Sequence, residues 1–292
     1  MIVNHIPFKK QKMHRLDLQN EGKITMIEEK IDLRAVLIDN LAAKVSYVAK
    51  SLPFMEVNET NNMIYVDSGL PSYNLNIVTL SKQQDNLTSK EALHAMVKHY
   101  NQKNFPMNVW CWKDCPETIK HLQSIGLKEY KTTYLGMIAD LDHIPLFSKR
   151  RINDFYIKEV STLAEVAEFG AILSNLYEEP EASHMQTYFK KLATLSPSAY
   201  PNLKNYIGIF RDEIVSVGSL MFTGNSVGMY DIATKDRMRG KGIGTAMVQF
   251  LLNEAIKHQA TYCSLQASPE AQRIYQKAGF QSLGELKVYE NA

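Results

Sequence analysis

The chain has 292 residues, 45% of them hydrophobic, which is enough for two ordinary domains with a core each. Its 33 basic side chains nearly balance 31 acidic ones, so charge implies neither a nucleic-acid nor a membrane partner. Cys111, Cys115 and Cys263 are too few for a disulfide framework, and no second pair or nearby histidine completes a zinc site, so no metal is expected.

Residues 1–15 carry Lys9, Lys10, Lys12 and Arg15 with no apolar stretch behind them, and no run of 18 apolar residues occurs anywhere. The expectation is a cytoplasmic protein, with export to a host cell left open. From Ile24 to about Ser51, Ile31, Val36, Leu41, Ala42 and Val45 suggest a helix, although Ile38 and Tyr47 blur its face. Met63–Val66 and Tyr73–Leu80 read as strands around a Gly-Leu-Pro-Ser turn. A helix from Ser89 to Tyr100, a strand from Met107 to Trp112, a helix from Pro116 to Ile125 and a last pair of strands over Leu127–Leu141 follow.

A linker is expected over His143–Asp154, where Pro145 and the run Lys149-Arg150-Arg151 break the pattern. Phe155–Val160 then opens a second unit, and Ala164, Val166, Phe169, Ala171, Ile172 and Leu176 form its first helix. Residues 177–185, with Glu178, Glu179 and His184, read as a loop. Strands follow over Tyr206–Phe210, Ile214–Phe222 and Val227–Thr234.

The densest signal lies between Met229 and Phe280. A short apolar strand ends at Thr234, and Arg239-Gly240-Lys241-Gly242-Ile243-Gly244-Thr245 opens a helix whose stripe is Ile243, Met247, Phe250, Leu251, Ala255 and Ile256. Alternating glycines let a backbone turn tightly, and the free N–H groups and positive dipole end of a helix start suit a diphosphate. The spacing fits neither a dinucleotide fingerprint, which needs G-x-G-x-x-G, nor a P-loop. A strand over Tyr262–Leu265 follows. Ser268 is then expected as N-cap and Pro269 as first residue of a short helix that Gly279 ends.

The R-x-x-G-x-G loop, the strand after its helix and the segment Ile274-Tyr275-Gln276-Lys277-Ala278-Gly279-Phe280 together resemble the GCN5-related N-acetyltransferases, the GNAT superfamily, over about residues 151–290. The resemblance implies acetyl-CoA as co-substrate. It implies that Ile232, Ala233 and Thr234 offer backbone groups to the pantetheine arm and that Arg239, Gly240, Lys241, Gly242, Ile243, Gly244 and Thr245 wrap the pyrophosphate. Tyr275 would protonate the departing thiolate. For a base the candidates are Asp231, if strand alternation turns it and not Tyr230 into the cleft, then Glu178, Glu179, His184, or a water chain.

The first half repeats this order with Pro116 at the place of Pro269 and Gly126-Leu127 at that of Gly279-Phe280. The expected fold is therefore α/β (α+β): two tandem GNAT-like domains, 1–145 and 146–292, each a mixed, mostly antiparallel central sheet flanked by helices. Only the second carries the motifs, because Ser81–Thr88 has no glycine and Leu122 stands where the tyrosine should be. The expected partner is an amine acceptor, either a small molecule or a peptide or protein.

Two other classes stay open: a regulator that senses acetyl-CoA without turnover, and an interaction protein whose first half binds a macromolecular partner. Trp110-Cys111-Trp112 bears on the second. Exposed, it would favour such a surface; packed, it is core. The closing residues 284–292 read either as a final strand or as a short signal.

Overall fold

A computed structural model of the chain describes residues 31–60, 62–80, 90–148 and 152–291. The readings of residues 1–15, of the Ser81–Thr88 loop and of the Lys149-Arg150-Arg151 run lie outside the described residues. In the first half, α1 (Leu33–Ser46) is followed by strands β1 (Glu56–Glu59), β2 (Met63–Asp67) and β3 (Ile77–Leu80), helix α2 (Lys90–Lys103), β4 (Asn108–Trp112), α3 (Pro116–Ser124), β5 (Lys128–Glu129) and β6 (Tyr134–Asp140). The second half has β7 (Phe155–Glu159), α4 (Leu163–Ser174), α5 (Glu181–Leu192), β8 (Leu203–Phe210), β9 (Glu213–Thr223) and β10 (Ser226–Thr234). It ends with α6 (Ile243–Lys257), β11 (Tyr262–Ala267), α7 (Gln272–Lys277) and β12 (Gln281–Glu290).

Several boundaries differ from the sequence reading for local reasons. The strand expected from Tyr73 begins only at Ile77, because Asn76 ties the preceding residues into turns: its Oδ1 accepts from Ser68 N and Oγ, and its Nδ2 donates to the carbonyls of Leu70 and Pro106. Residues 181–185, read as part of a loop, instead open a helix that runs from Glu181 to Leu192, with Met185, Phe189 and Leu192 buried at helical spacing. Ser268 is not the N-cap of α7; that place falls to Ala271, and Ser268 lends its carbonyl to the N–H groups of Ala271 and Gln272. The closing residues pair as a strand, β12.

One sheet runs through both halves in the order β1-β2-β3-β4-β12-β6-β11-β10-β9-β8-β7, with β5 beside β12. Among the described strands only β3–β4 and β10–β11 are parallel. Each half lends its last strand to the other. First-half β6 lies antiparallel between β11 and β12, and second-half β12 lies between β6 and β4. Neither half therefore completes its sheet alone.

The repeat is visible in the backbone. Leu127 N donates to Leu122 O at 3.1 Å and Phe280 N to Tyr275 O at 3.1 Å, and the glycine inside each of these turns has positive φ, 90° at Gly126 and 97° at Gly279. Leu122 thus occupies the place of Tyr275 and is fully buried.

Helix α1 locks the halves together. Leu37 and Ile38 join the first-half core, while Asn40 donates to Met221 O (3.0 Å) and Thr223 Oγ1 (2.7 Å) on β9 and accepts from Tyr230 on β10 (2.8 Å). Packing on both half-sheets explains why its apolar face looked blurred. The approach is so close that a Cβ on Gly228 of β10 would stand 2.0 Å from Asn40 Oδ1. Trp112 and Cys111 are buried and Trp110 is half-buried, so that cluster is core.

Candidate active site

The parallel strands β10 and β11 pair only from Ser226↔Tyr262 to Gly228↔Ser264. Beyond that point β10 bulges between Tyr230 and Ala233 and follows β9, while Leu265–Ala267 continue along β6. A bulge carries an extra, unpaired residue and bends its strand. The two strands therefore part, and Ile232, Ala233 and Thr234 edge the gap. Ala233 O is taken by Ser216 Oγ (2.7 Å) and Thr234 O receives Arg239 Nε (3.4 Å), which fixes that edge in place.

At the mouth of the gap the chain turns through Arg239, Gly240 and Lys241 into α6. Gly240 and Gly242 have φ of 75° and 80°, the left-handed region that glycine enters without strain. Gly242 is the N-cap and has no side-chain oxygen to give, so the first helical bond runs from Ala246 N to Gly242 O at 3.0 Å. The N–H groups of Ile243, Gly244 and Thr245 consequently have no acceptor within the helix. Arg239 meets Asp236 at 3.0 Å, its side chain 60% exposed, and Lys241 has no carboxylate partner among the described residues. Open N–H groups, a positive helix end and two cations fit a diphosphate. Lys235 and Arg237 differ, because both pair with Glu213.

Ile274, next to Tyr275 on α7, reaches within 3.9 Å of where a Cβ on Gly244 would lie, and Tyr275 itself is buried in the same core as Met247 and Val248 of α6. The Tyr275 ring meets Phe280 edge-on at 5.7 Å. Burial, followed by the neighbouring Cys263, pushes the phenol up to about 12. The hydroxyl has no hydrogen-bond partner among the described residues. It is therefore a protonated donor at neutral pH with nothing claiming its proton.

The bulge also answers the question of orientation left by strand alternation. Asp231 has φ of 55°, and both it and Tyr230 line one cavity of about 230 Å³. Lys44 Nζ of α1 donates to Asp231 Oδ2 at 2.6 Å, and so does Ser219 Oγ at 2.6 Å. Oδ1 takes part in no hydrogen bond among the described residues. Tyr177 and Tyr188 stand close by; burial first, and then the Asp231 charge, raise both phenols above the ordinary value. Leu41, Lys44, Ile77 and Trp110 of the first half complete the wall.

The other base candidates lie elsewhere. Glu178 and Glu179 are exposed, and Glu179 Oε2 accepts from Ser183 N at the start of α5. His184 sits on that helix, 3.9 Å from Glu181 Oε2. Glu181 itself is buried and accepts from Ser72 Oγ (2.6 Å) and Asn74 Nδ2 (2.9 Å), a clasp between the halves. Lys44, Ser219, Tyr188 and Gln266 were not singled out in the sequence. Lys44 lies 187 positions from Asp231, and no local pattern marks such a pair.

Among the described residues Glu56, Asp67 and His99 come together, but Asp67 already pairs with Lys103 as well as with His99. No described helix is long and apolar enough to cross a membrane.

Residues 178–291 match the family model described as acetyltransferase (GNAT) domain. Among solved structures the chain is similar to a GCN5-related N-acetyltransferase from Kribbella flavida, with TM-score 0.64 at 11% identity over 87% of this chain and 95% of that one. It is also similar to a tandem GNAT protein from the clavulanic acid biosynthesis pathway, with TM-score 0.57 at 11% identity over 89% and 95%. A third likeness is to a GCN5-related N-acetyltransferase from Sphaerobacter thermophilus, TM-score 0.56 at 12% identity over 89% and 93%. Identities this low speak for the fold alone. No curated protein matches the sequence.

Proposed function

We propose, from the match of residues 178–291 to the acetyltransferase (GNAT) domain model, that the chain moves an acetyl group from acetyl-CoA to a primary amine, by direct attack in a ternary complex. The observation that carries this reading is the parting of β10 and β11 next to the uncapped, glycine-opened start of α6. We assign the chemistry to residues 146–292 and a structural, acceptor-shaping role to residues 1–145.

Acetyl-CoA, when bound, supplies the acetyl group as an activated thioester. The amides of Ile243–Thr245, with Arg239 and Lys241, hold the diphosphate, and the β10 edge at Ile232–Thr234 aligns the arm and polarises the carbonyl. Asp231 receives the acceptor's ammonium and takes its proton as the nitrogen attacks; at an ordinary amine pKa of about 10.4 that nitrogen is otherwise nearly all protonated at neutral pH. Tyr275 gives its proton to the leaving sulfur.

A spectrophotometric assay of free thiol, run with acetyl-CoA against small amines, polyamines, aminoglycosides and peptides, checks the reading. Acceptor-dependent release with a matching mass gain of one acetyl group is expected. Tight acetyl-CoA binding with no turnover on any acceptor would instead favour a sensor.

A further inference from the structure

The cavity beside Asp231 carries an unusual feature, an ion pair contributed jointly by the two halves. Lys44 and Asp231 are the only charged residues among those that line it, and their side chains are 20% and 24% exposed. The remaining wall is mainly aromatic and aliphatic: Trp110, Tyr177, Tyr188, Phe189, Leu192 and Met185 are all part of it. At about 230 Å³ it is smaller than the roughly 300–1,000 Å³ of clefts that hold drug-sized ligands. A small acceptor fits that space.

The pair restricts the acceptor's charge. A simple amine that docks on the open Oδ1 of Asp231 sets a second ammonium beside Lys44 against a single carboxylate, and the uncompensated charge is unfavourable in a poorly solvated site. A simple carboxylate beside Lys44 leaves the excess charge negative instead. A zwitterion supplies both charges at once, ammonium to Asp231 and carboxylate to Lys44, and the site stays neutral. Gln266 also lines this wall, its amide nitrogen buried near Tyr230.

From this, and resting on the acetyltransferase reading above, we propose that the acceptor is a free α-amino acid with a bulky apolar side chain, held by the Lys44–Asp231 pair and acetylated on its α-nitrogen. The ammonium loses one proton to Asp231 and then to solvent. The nitrogen lone pair forms the N–C bond as the C–S bond breaks, Tyr275 protonates the sulfur, and the second nitrogen proton returns through solvent to Tyr275. The neutral amide no longer holds Asp231, so product leaves with the Lys44–Asp231 pair intact.

The test uses the full chain. Calorimetry in the presence of CoA compares L-phenylalanine and L-leucine with phenethylamine, which lacks the carboxylate, and 3-phenylpropionate, which lacks the ammonium; thiol release with acetyl-CoA compares the amines as acceptors. L-Phenylalanine should bind at least tenfold more tightly than either half-molecule and be the better acceptor. Lys44→Met should cut the preference of L-phenylalanine over phenethylamine by tenfold or more, and Lys44→Arg should restore most of it. That ratio is read within one protein sample, so a partly unfolded variant still gives it. Transfer to amines with no advantage for the amino acid, or an unchanged preference in Lys44→Met, overturns this inference and leaves the acetyltransferase reading standing. Failure to bind acetyl-CoA and to acetylate any amine overturns both.

Discussion

Gly242→Asp is expected to abolish acetyl-CoA binding while the protein stays folded. Gly242 sits at φ 80°, ψ 5°, and any L side chain there adopts the left-handed region at a cost of about 1–2 kcal/mol. That is small against the roughly 5–15 kcal/mol that holds a domain together. The larger effect falls on the ligand. A carboxylate at the N-cap accepts from the very N–H groups that a diphosphate would use, and it brings a negative charge to the same positive helix end. Gly244→Asp places the charge on ordinary helical backbone, where a Cβ would meet nothing nearer than Thr234 Oγ1 at 3.8 Å. Loss of binding in that variant as well isolates the electrostatic part. Titration calorimetry with acetyl-CoA reads both, and binding unchanged in both would remove the diphosphate from this loop.

Tyr275→Phe is expected to lower kcat by about 10²-fold with KM for acetyl-CoA unchanged, the scale of a lost general acid. The substitution keeps the ring that packs on Phe280 and removes only a hydroxyl that nothing else holds, so stability should barely move. The phenol's elevated value sets the sign of the pH dependence. The donor must be protonated, and with its folded value at about 12 it remains so throughout the neutral and moderately alkaline range. Tyr275 should therefore give the kcat profile no alkaline fall below that value, and the wild-type and Phe profiles should run parallel. Wild-type turnover in the variant would return Tyr275 to a packing role.

What could be read from sequence was what is local. The strand, glycine loop and amphipathic helix from Met229 to Ile256 form one continuous signal, and the structure has them in that order. The match of Gly126-Leu127 with Gly279-Phe280 was equally legible, since each pair ends a short helix by the same backbone bonds. Helix α5 was missed although Met185, Phe189 and Leu192 have helical spacing, because the Tyr-Glu-Glu-Pro run before it reads as loop. Strand β1 was missed because Glu56-Val57-Asn58-Glu59 has one apolar residue and forms the edge of the sheet.

The exchange of β6 and β12 had no sequence signal at all. Met137 pairs with Leu265 and Leu286 with Trp112, and an apolar strand carries the same alternation whichever neighbour it finds. The pocket depends on that exchange and on α1, so its composite wall and the Lys44–Asp231 pair were out of reach of any local pattern. What the sequence did offer was Asp231 as one candidate among several. The bulge at Tyr230 to Ala233, itself invisible beforehand, is what turns it toward Lys44.

Acetyl transfer is proposed to take place at the second-half site alone, with the first half shaping the acceptor pocket. Leu122 has no proton to give where Tyr275 has one. That placement is tested most directly by steady-state transfer in the full-length double variant Tyr275→Phe, Gly242→Asp, with product identified by mass and compared with wild type under the same acceptor. Acceptor-dependent turnover by wild type and none above background by the folded double variant is the predicted result; appreciable residual transfer that maps to residues 1–145 would contradict it.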